Sequence, residues 1–152
     1  MSTIFERIVR GEREAWIVWE GQRHLAFLTP FPNTPGVTVV IPKTNVGGYV
    51  FALDDDALQE LMQATKTVAR LLERAFDTPR VACVFEGTGV DYVHAKLYPL
   101  HGPLATQTDV WSAHREWHPQ YNGYITTTEG PEMARDELDA LRDKILRAAE
   151  RS

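Results

Sequence analysis

The sequence lacks cysteine pairs, long apolar runs and an excess of positive charge. Cys83 is the only cysteine among 152 residues, which excludes a disulfide framework and favours a reduced, cytoplasmic setting. The longest apolar stretch, VTVVIP at 37–42, is far too short to span a bilayer. The first segment, MSTIFERIVRGER, carries charge too early for a secretion signal. We therefore expect no membrane partner.

The charge balance is acidic, with a formal net charge of -5 at pH 7. Proteins that bind nucleic-acid backbones normally carry a basic face, so we expect no nucleic-acid partner, although a single cleft can still be basic. The length predicts one domain over 1–152 with a core that needs no covalent staples.

The first half of the chain predicts one short helix and three strands. STIFERIVRG is typical of a helix that a Thr3–Glu6 capping box begins and Gly11 ends. AWIVWE and RHLAFLT predict two strands joined by a tight hairpin at Gly21-Gln22. VTVVIPK predicts a third strand, and Lys43 at its end is a cation near the edge of a sheet.

Apolar residues at helical spacing predict a long helix from Asp54 to Phe76, which Pro79 closes. RVACVFE predicts a fourth strand, GTGV a glycine turn, and YVHAKLY a fifth strand. An irregular segment rich in aromatic residues follows, and a second amphipathic helix begins at about Pro131. The order β-β-β-α-β-β predicts an α+β fold on a five-stranded antiparallel sheet, with a C-terminal helical extension.

The stretch DYVHAKLYP alternates strictly between apolar and polar or aromatic residues, the pattern of a half-buried strand. One face is predicted to pack into the core through Val93, Ala95 and Leu97. The other is predicted to be open and to display Tyr92, His94, Lys96 and Tyr98.

His94 and Lys96 on one strand face are a candidate phosphate site. A nearby cation keeps imidazole neutral, neutral imidazole is a nucleophile, and lysine is a point charge suited to phosphate. The preceding glycine turn also offers backbone amides to an anion. These residues favour phosphoryl or nucleotidyl transfer through a phosphohistidine. The alternative, that His94 is a surface histidine without a chemical role, stays open. The other histidines have no ligand spacing with His94, so no metal site and no cofactor are predicted.

With these residues in view, the chain resembles the histidine triad (HIT) family over roughly residues 4–102. The matching stretches are IFERIVRGE, AFLTPFPNTPGVTVVIPK, the long helix and GVDYVHAKLYP. The resemblance implies a HIT-like fold in which His94 takes the place of the middle histidine of His-x-His-x-His. That histidine attacks the α-phosphorus of a nucleotide and forms a nucleotidyl-histidine intermediate. Tyr92 and Lys96 stand where the first and third histidines are expected, which marks a variant branch.

The resemblance also assigns substrate-binding positions. It places Thr29 where an acidic residue for the ribose is common and Phe85 where an asparagine is usual. Thr88 or Gly89 stands where the family has a serine or glutamine near the glycine turn. An apolar pocket for the base matches Phe5, Ile8, Phe27 and Val39, which plain core packing explains equally well. The zinc-binding cysteines of some members are absent, so the resemblance implies no metal.

Three hypotheses remain open at this point. The first is a nucleotidyl hydrolase or transferase acting on a nucleoside phosphoramidate or a dinucleoside polyphosphate. The second is a catalytically impaired nucleotide-binding protein, and the third is a structural partner whose strand face meets another protein. The resemblance implies a homodimer with a continuous sheet, in which aromatic residues of 103–130 cover the sheet or reach the partner's site. These are Trp111, Trp117, Tyr121 and Tyr124.

Overall fold

The computed structural model describes residues 1–110, 120 and 132–151. Its first helix, α1, is Ile4–Val9, and the Thr3 hydroxyl caps it by accepting a hydrogen bond from the Glu6 N–H. The Glu6 carboxylate accepts in return from the Thr3 N–H at 2.6 Å, so the predicted capping box is present. The hydrogen bond from the Thr3 backbone is the main reason that the pKa of Glu6 is lowered.

Three strands follow α1. They are β1 at Trp16–Glu20, β2 at His24–Leu28 and β3 at Thr38–Pro42. β1 and β2 form the predicted hairpin, in which the Gly21 N–H donates to the His24 carbonyl at 2.9 Å. Every residue of β2 and β3 is buried, because both faces of these strands are covered. This explains why the third strand is apolar without alternation.

The second half contains the long helix, two strands and the C-terminal helix. These are α2 at Asp55–Phe76, β4 at Val81–Glu86, β5 at His94–Pro99 and α3 at Arg135–Glu150. The Asp54 carboxylate caps α2 by accepting from the Ala57 N–H at 2.8 Å. The helix ends where Asp77 adopts the left-handed conformation with φ 49°, and Pro79 follows that turn.

The strands form one five-stranded antiparallel sheet in the order β1-β2-β3-β5-β4. Helices α2 and α3 cover one face and share a core with Val40, Val93 and Leu97. Helix α1 covers the other face, where Phe5 and Ile8 pack on residues of β2 and β3. The predicted α+β fold, with a long helix and a C-terminal helical extension, is confirmed.

The fifth strand differs from the prediction in two ways. It begins at His94, two residues later than expected. Its polar face is also not open at its start, since Tyr92 is 0% exposed and His94 only 3% exposed. The α1 residue Phe5 packs on both rings, with centroids 5.6 Å from Tyr92 and 5.2 Å from His94. The alternation of residues in the fifth strand does not by itself indicate that an apolar helix covers this face.

The irregular segment lies mostly outside the described residues. Pro131, where the last helix was predicted to begin, also lies outside them. The same holds for the four aromatic residues that were expected to cover the sheet or reach the partner's site: Trp111, Trp117, Tyr121 and Tyr124. Across the ranges that are described, no helix is long and apolar enough to cross a membrane.

Candidate active site

A cavity of about 750 Å³ lies on the α1 face of the sheet. Its walls come from α1, the segment 12–16, β2, β3, the turn 88–90, β5 and the start of α3. This volume is in the range of small-molecule sites. Most of the predicted site residues line it, namely Phe5, Ile8, Phe27, Thr29, Val39, Thr88, Gly89, His94 and Lys96.

The backbone of its own strand fixes His94 at the cavity wall. The Nδ1 atom lies 2.7 Å from the carbonyl oxygen of Tyr92. Because a carbonyl only accepts hydrogen bonds, this contact requires the proton on Nδ1. In the neutral ring the lone pair is then on Nε2, so this nitrogen is the one that can act as a nucleophile. Phe5 packs edge-on against the ring and fixes its plane.

A carboxylate that the sequence did not single out lies beside this histidine. The Oε2 atom of Glu86 is 3.8 Å from His94 Nε2 and 3.3 Å from Lys96 Nζ. The three side chains are nearly buried, with exposures of 13% for Glu86 and Lys96 and 3% for His94. The site is therefore a histidine, a carboxylate and an ammonium group, and the ammonium group is ion-paired with the carboxylate.

The Tyr92 side chain does not reach the cavity lining. Its ring is fully buried beneath α1, and its hydroxyl donates to the Pro42 carbonyl at 2.5 Å. Burial raises the pKa of Tyr92 to about 12, so the hydroxyl remains a donor. Tyr92 thus serves His94 through its main-chain carbonyl, and the structure gives its hydroxyl a structural partner.

The structure does not bring Phe85 to the cavity. In the register of β4 with β5, Phe85 pairs with Ala95, while Glu86 pairs with His94. Paired residues point to the same face of a sheet, so Phe85 lies on the opposite face from His94. There it packs against the core beneath α2 and α3. The position facing His94 on β4 is that of Glu86.

The apolar wall of the cavity is also a core cluster. Phe5, Ile8, Phe27 and Val39 are each less than a tenth exposed and pack together with Leu25, Ile41 and Tyr92. The two interpretations of these residues, core packing and contact with a base, are therefore compatible. All four residues line the cavity as well as packing in this cluster.

The polar wall consists of Thr29 and the glycine turn. The Thr29 hydroxyl accepts from the Phe31 N–H at 3.2 Å and stabilises the turn after β2. Thr88 and Gly89 line the cavity above His94, and Gly89 has a left-handed φ of 80°. A side chain at Gly87 would collide with the backbone of Gly48, so only glycine permits this close approach of two loops.

The start of α3 supplies a charged rim that the sequence did not indicate. The Arg135 guanidinium lies 5.9 Å above the Trp16 ring and forms an ion pair with Glu14. Its hydrogen bond lowers the pKa of the Glu14 carboxyl. Arg135 and Glu14 line the cavity together with Arg7 and Arg13 of the α1 side. The described part of the C-terminal extension therefore borders this chain's own cavity.

A smaller cavity of about 350 Å³ shares no lining residue with the first. It contains His24, which is 7% exposed, and Lys43. The Lys43 ammonium is paired with Glu20 at 2.7 Å, so this cation does not belong to the His94 site. Within the described ranges, no three His, Cys, Asp or Glu residues are grouped as metal ligands would be.

Residues 10–100, the part of the chain that holds the sheet and α2, match the HIT domain family. The chain belongs to the HIT family. It is 33% identical to an uncharacterized HIT-like protein of Methanocaldococcus jannaschii over 105 residues, which are 64% of this chain and 78% of that protein. It is 33% identical to another from Saccharolobus solfataricus over 72 residues, 47% of this chain and about half (51%) of the relative's length.

The fold of this HIT protein matches those of solved structures. A hypothetical histidine triad nucleotide-binding protein from Sulfolobus tokodaii aligns with a TM-score of 0.71 at 21% identity, over 97% of this chain and 91% of that one. At this identity the likeness shows the fold alone. The roles of individual residues therefore depend on the geometry around His94.

Proposed function

We propose that this HIT protein is a nucleotidyl hydrolase or transferase that acts on the α-phosphate of a nucleoside phosphoramidate or a dinucleoside polyphosphate. HIT proteins are generally nucleotide hydrolases and transferases. The observation that carries the proposal is the Nδ1 contact of His94 with a backbone carbonyl in the wall of a ligand-sized cavity. It leaves a nucleophilic nitrogen beside a lysine, where an anionic phosphate has a partner.

In the proposed reaction, Nε2 of His94 attacks the α-phosphorus and the bond to the leaving group breaks. The leaving group departs with the bonding electrons, and the nucleotidyl group remains on Nε2. The Nδ1 proton stays in its hydrogen bond to the Tyr92 carbonyl and stabilises the charged ring that forms. Lys96 faces the same cavity and would stabilise the charge that develops on the phosphoryl oxygens. In this assignment Tyr92 and Lys96 occupy the outer two positions of the histidine motif.

The nucleoside is proposed to occupy the rest of the cavity. The base would contact the apolar wall of Phe5, Ile8, Phe27 and Val39, because aromatic and aliphatic walls suit a planar heterocycle. Thr29 and the turn at 88–89 would supply polar contacts to the sugar and phosphate. Phe85 has no part in this proposal, since its side chain lies on the other face of the sheet.

The alternative is a nucleotide-binding protein with impaired turnover. The position of Glu86 favours it, because a carboxylate 3.8 Å from Nε2 opposes the approach of an anionic phosphate. The ion pair with Lys96 offsets this charge in part. We rank the enzyme first because a binding site alone gives no reason to fix which ring nitrogen of His94 carries the proton.

The deciding experiment measures release of nucleoside monophosphate from a panel of dinucleoside polyphosphates and adenosine phosphoramidate. His94→Asn is compared with wild type and with His101→Asn, which changes a histidine bonded to the Pro35 carbonyl and absent from the cavity lining. We expect release by wild type and His101→Asn and loss of release in His94→Asn. If none of the three releases product while all bind nucleotide, the protein is the binding module.

The resemblance to the family also supports a homodimer and a cytoplasmic setting as proposals. Among the residues that the structure describes, β1 and β4 are the outer strands of the sheet, and a second copy can add to such a strand. The lone Cys83 is consistent with a reducing compartment.

A further inference from the structure

Glu86 is placed at the site by strand register. It is the last residue of β4 and pairs directly with His94, while Val84 pairs with Lys96. Side chains at paired positions share one face, so Glu86, His94 and Lys96 converge without any bend in either strand. The carboxylate lies 3.8 Å from Nε2 and 3.3 Å from the ammonium. It is thus an acidic partner of the nitrogen that would carry the phosphorus.

The first half of the proposed reaction does not need this carboxylate. The Tyr92 carbonyl already holds the proton on Nδ1, so Nε2 attacks without losing one. A base becomes necessary only afterwards, when water replaces the histidine on phosphorus and must give up a proton. An ionised carboxylate at hydrogen-bonding range of that water is a suitable base.

We propose that Glu86 is the general base that activates water to hydrolyse the nucleotidyl-histidine, and this inference rests on the proposed function. The water oxygen forms a bond to phosphorus while one of its protons passes to Glu86. The bond between phosphorus and Nε2 breaks, and its electron pair returns to Nε2. Nucleoside monophosphate leaves, and the proton on Glu86 passes to solvent. Lys96 holds the carboxylate in place through the 3.3 Å contact.

The same carboxylate selects the acceptor. An anionic acceptor such as phosphate would have to approach a second negative charge in a nearly buried site, where like charges repel strongly. Water carries no charge and gains a hydrogen bond to Glu86. The geometry therefore favours hydrolysis over transfer to phosphate and narrows the proposed activity to that of a hydrolase.

The test follows both half-reactions in one turnover of diadenosine tetraphosphate. Glu86→Gln is compared with wild type and with Glu60→Gln, which removes another ion-paired glutamate outside the His94 cavity. Rapid quench measures the leaving group and adenosine monophosphate, and intact mass measures the adenylyl adduct. We expect Glu86→Gln to release the leaving group in a burst, to accumulate the adduct, and to form the monophosphate about 10²–10⁴-fold more slowly. Glu60→Gln should behave as wild type.

Fluoride gives a second readout that a purely structural role would not change. It attacks phosphorus without losing a proton, so it should convert the adduct of Glu86→Gln to the phosphorofluoridate and restore turnover. Normal turnover by Glu86→Gln without an adduct would overturn the role of Glu86, and so would loss of the burst in a folded variant. If wild type itself forms neither adduct nor monophosphate, the proposed function fails, and the role of Glu86 fails with it.

Should Glu86→Gln not fold, Glu86→Asp keeps the carboxylate but withdraws it from the water. It should slow the second half-reaction and leave the burst intact. Equal slowing of both halves would contradict the assignment.

Discussion

The Nδ1 atom of His94 lies 2.7 Å from the backbone carbonyl of Tyr92, two residues earlier in the chain. The Tyr92 hydroxyl makes its own bond elsewhere, to the Pro42 carbonyl of β3 at 2.5 Å. The group that fixes the tautomer of His94 therefore belongs to the main chain. The Tyr92 side chain, fully buried, anchors this part of the core instead.

Tyr92→Phe should separate these two roles. Loss of the hydroxyl leaves the buried Pro42 carbonyl without this donor, so we expect the free energy of unfolding to fall by about 1–3 kcal/mol. Turnover should be nearly unchanged, because the carbonyl contact to His94 remains. Urea denaturation and kcat/KM measure the two effects, with Tyr49→Phe, at a 65% exposed residue, as the control. Loss of activity in a folded Tyr92→Phe variant would show that the Tyr92 hydroxyl contributes to turnover.

Lys96→Met should weaken transition-state stabilisation by about 2.7–4 kcal/mol, the scale of one lost donor to a developing oxyanion. It also leaves Glu86 without its ammonium partner beside His94. We therefore expect KM for anionic substrates to rise as well, and Lys96→Arg to recover part of both losses. Steady-state kinetics with Lys66→Met, an exposed lysine on α2, provide the comparison. Unchanged kinetics in Lys96→Met would show that Lys96 has no role in the reaction.

Local patterns were sufficient to predict the elements of the fold. The Thr3–Glu6 capping box and the apolar alternation of Val93, Ala95 and Leu97 both give the observed structure. Each depends on neighbours within a few residues, where helix and strand periodicity are determined. His94 was found in the same way, since a lone histidine and a lysine two residues apart stand on one face of a strand.

The site residues that sequence analysis did not identify are brought to the cavity by contacts between segments far apart in the chain. Whether Phe85 or Glu86 faces His94 depends on the register of β4 against β5, and a slip of one residue exchanges the two faces. The connection at 87–93 is too long to determine that register by itself. Arg135 reaches the cavity because α3 packs on β1 and α2, and nothing near Arg135 in the sequence indicates this.

The buried His24 should make stability depend on pH. Burial is the main cause that lowers its pKa below the ordinary value near 6.5, although nearby Glu60 raises it. The unfolded chain therefore binds a proton here at a higher pH than the folded protein does. As pH falls below about 6.5, unfolding is favoured and the stability that neutral His24 contributes is lost.

His24→Leu removes this proton-binding difference. We expect the Tm of wild type to fall more between pH 7 and pH 5 than the Tm of His24→Leu, measured by calorimetry across that range. His101→Asn serves as the control because it removes a different histidine and leaves His24 in place. Parallel pH profiles for wild type and His24→Leu would show that His24 is not the group responsible.

The two outer strands differ in how well each can pair with a second copy. β1 has a register irregularity between Ile17 and Trp19, and bulges of this kind interrupt the hydrogen-bonding edge. β4 pairs with β5 in unbroken register over six residues and carries the exposed Cys83 at its centre. We therefore propose that the continuous sheet of the expected homodimer forms through β4.

A charge on either edge tests this assignment. Wild type should show twice the chain mass of 17.2 kDa in size-exclusion chromatography with light scattering. Cys83→Asp should dissociate it, because two copies would bring like charges and buried carboxylates together at the new strand pair. Ile17→Asp, on the outer edge of β1, should remain dimeric. A monomeric wild type would contradict the proposed homodimer. Dissociation by Ile17→Asp alone would indicate that the interface is at β1 instead of β4.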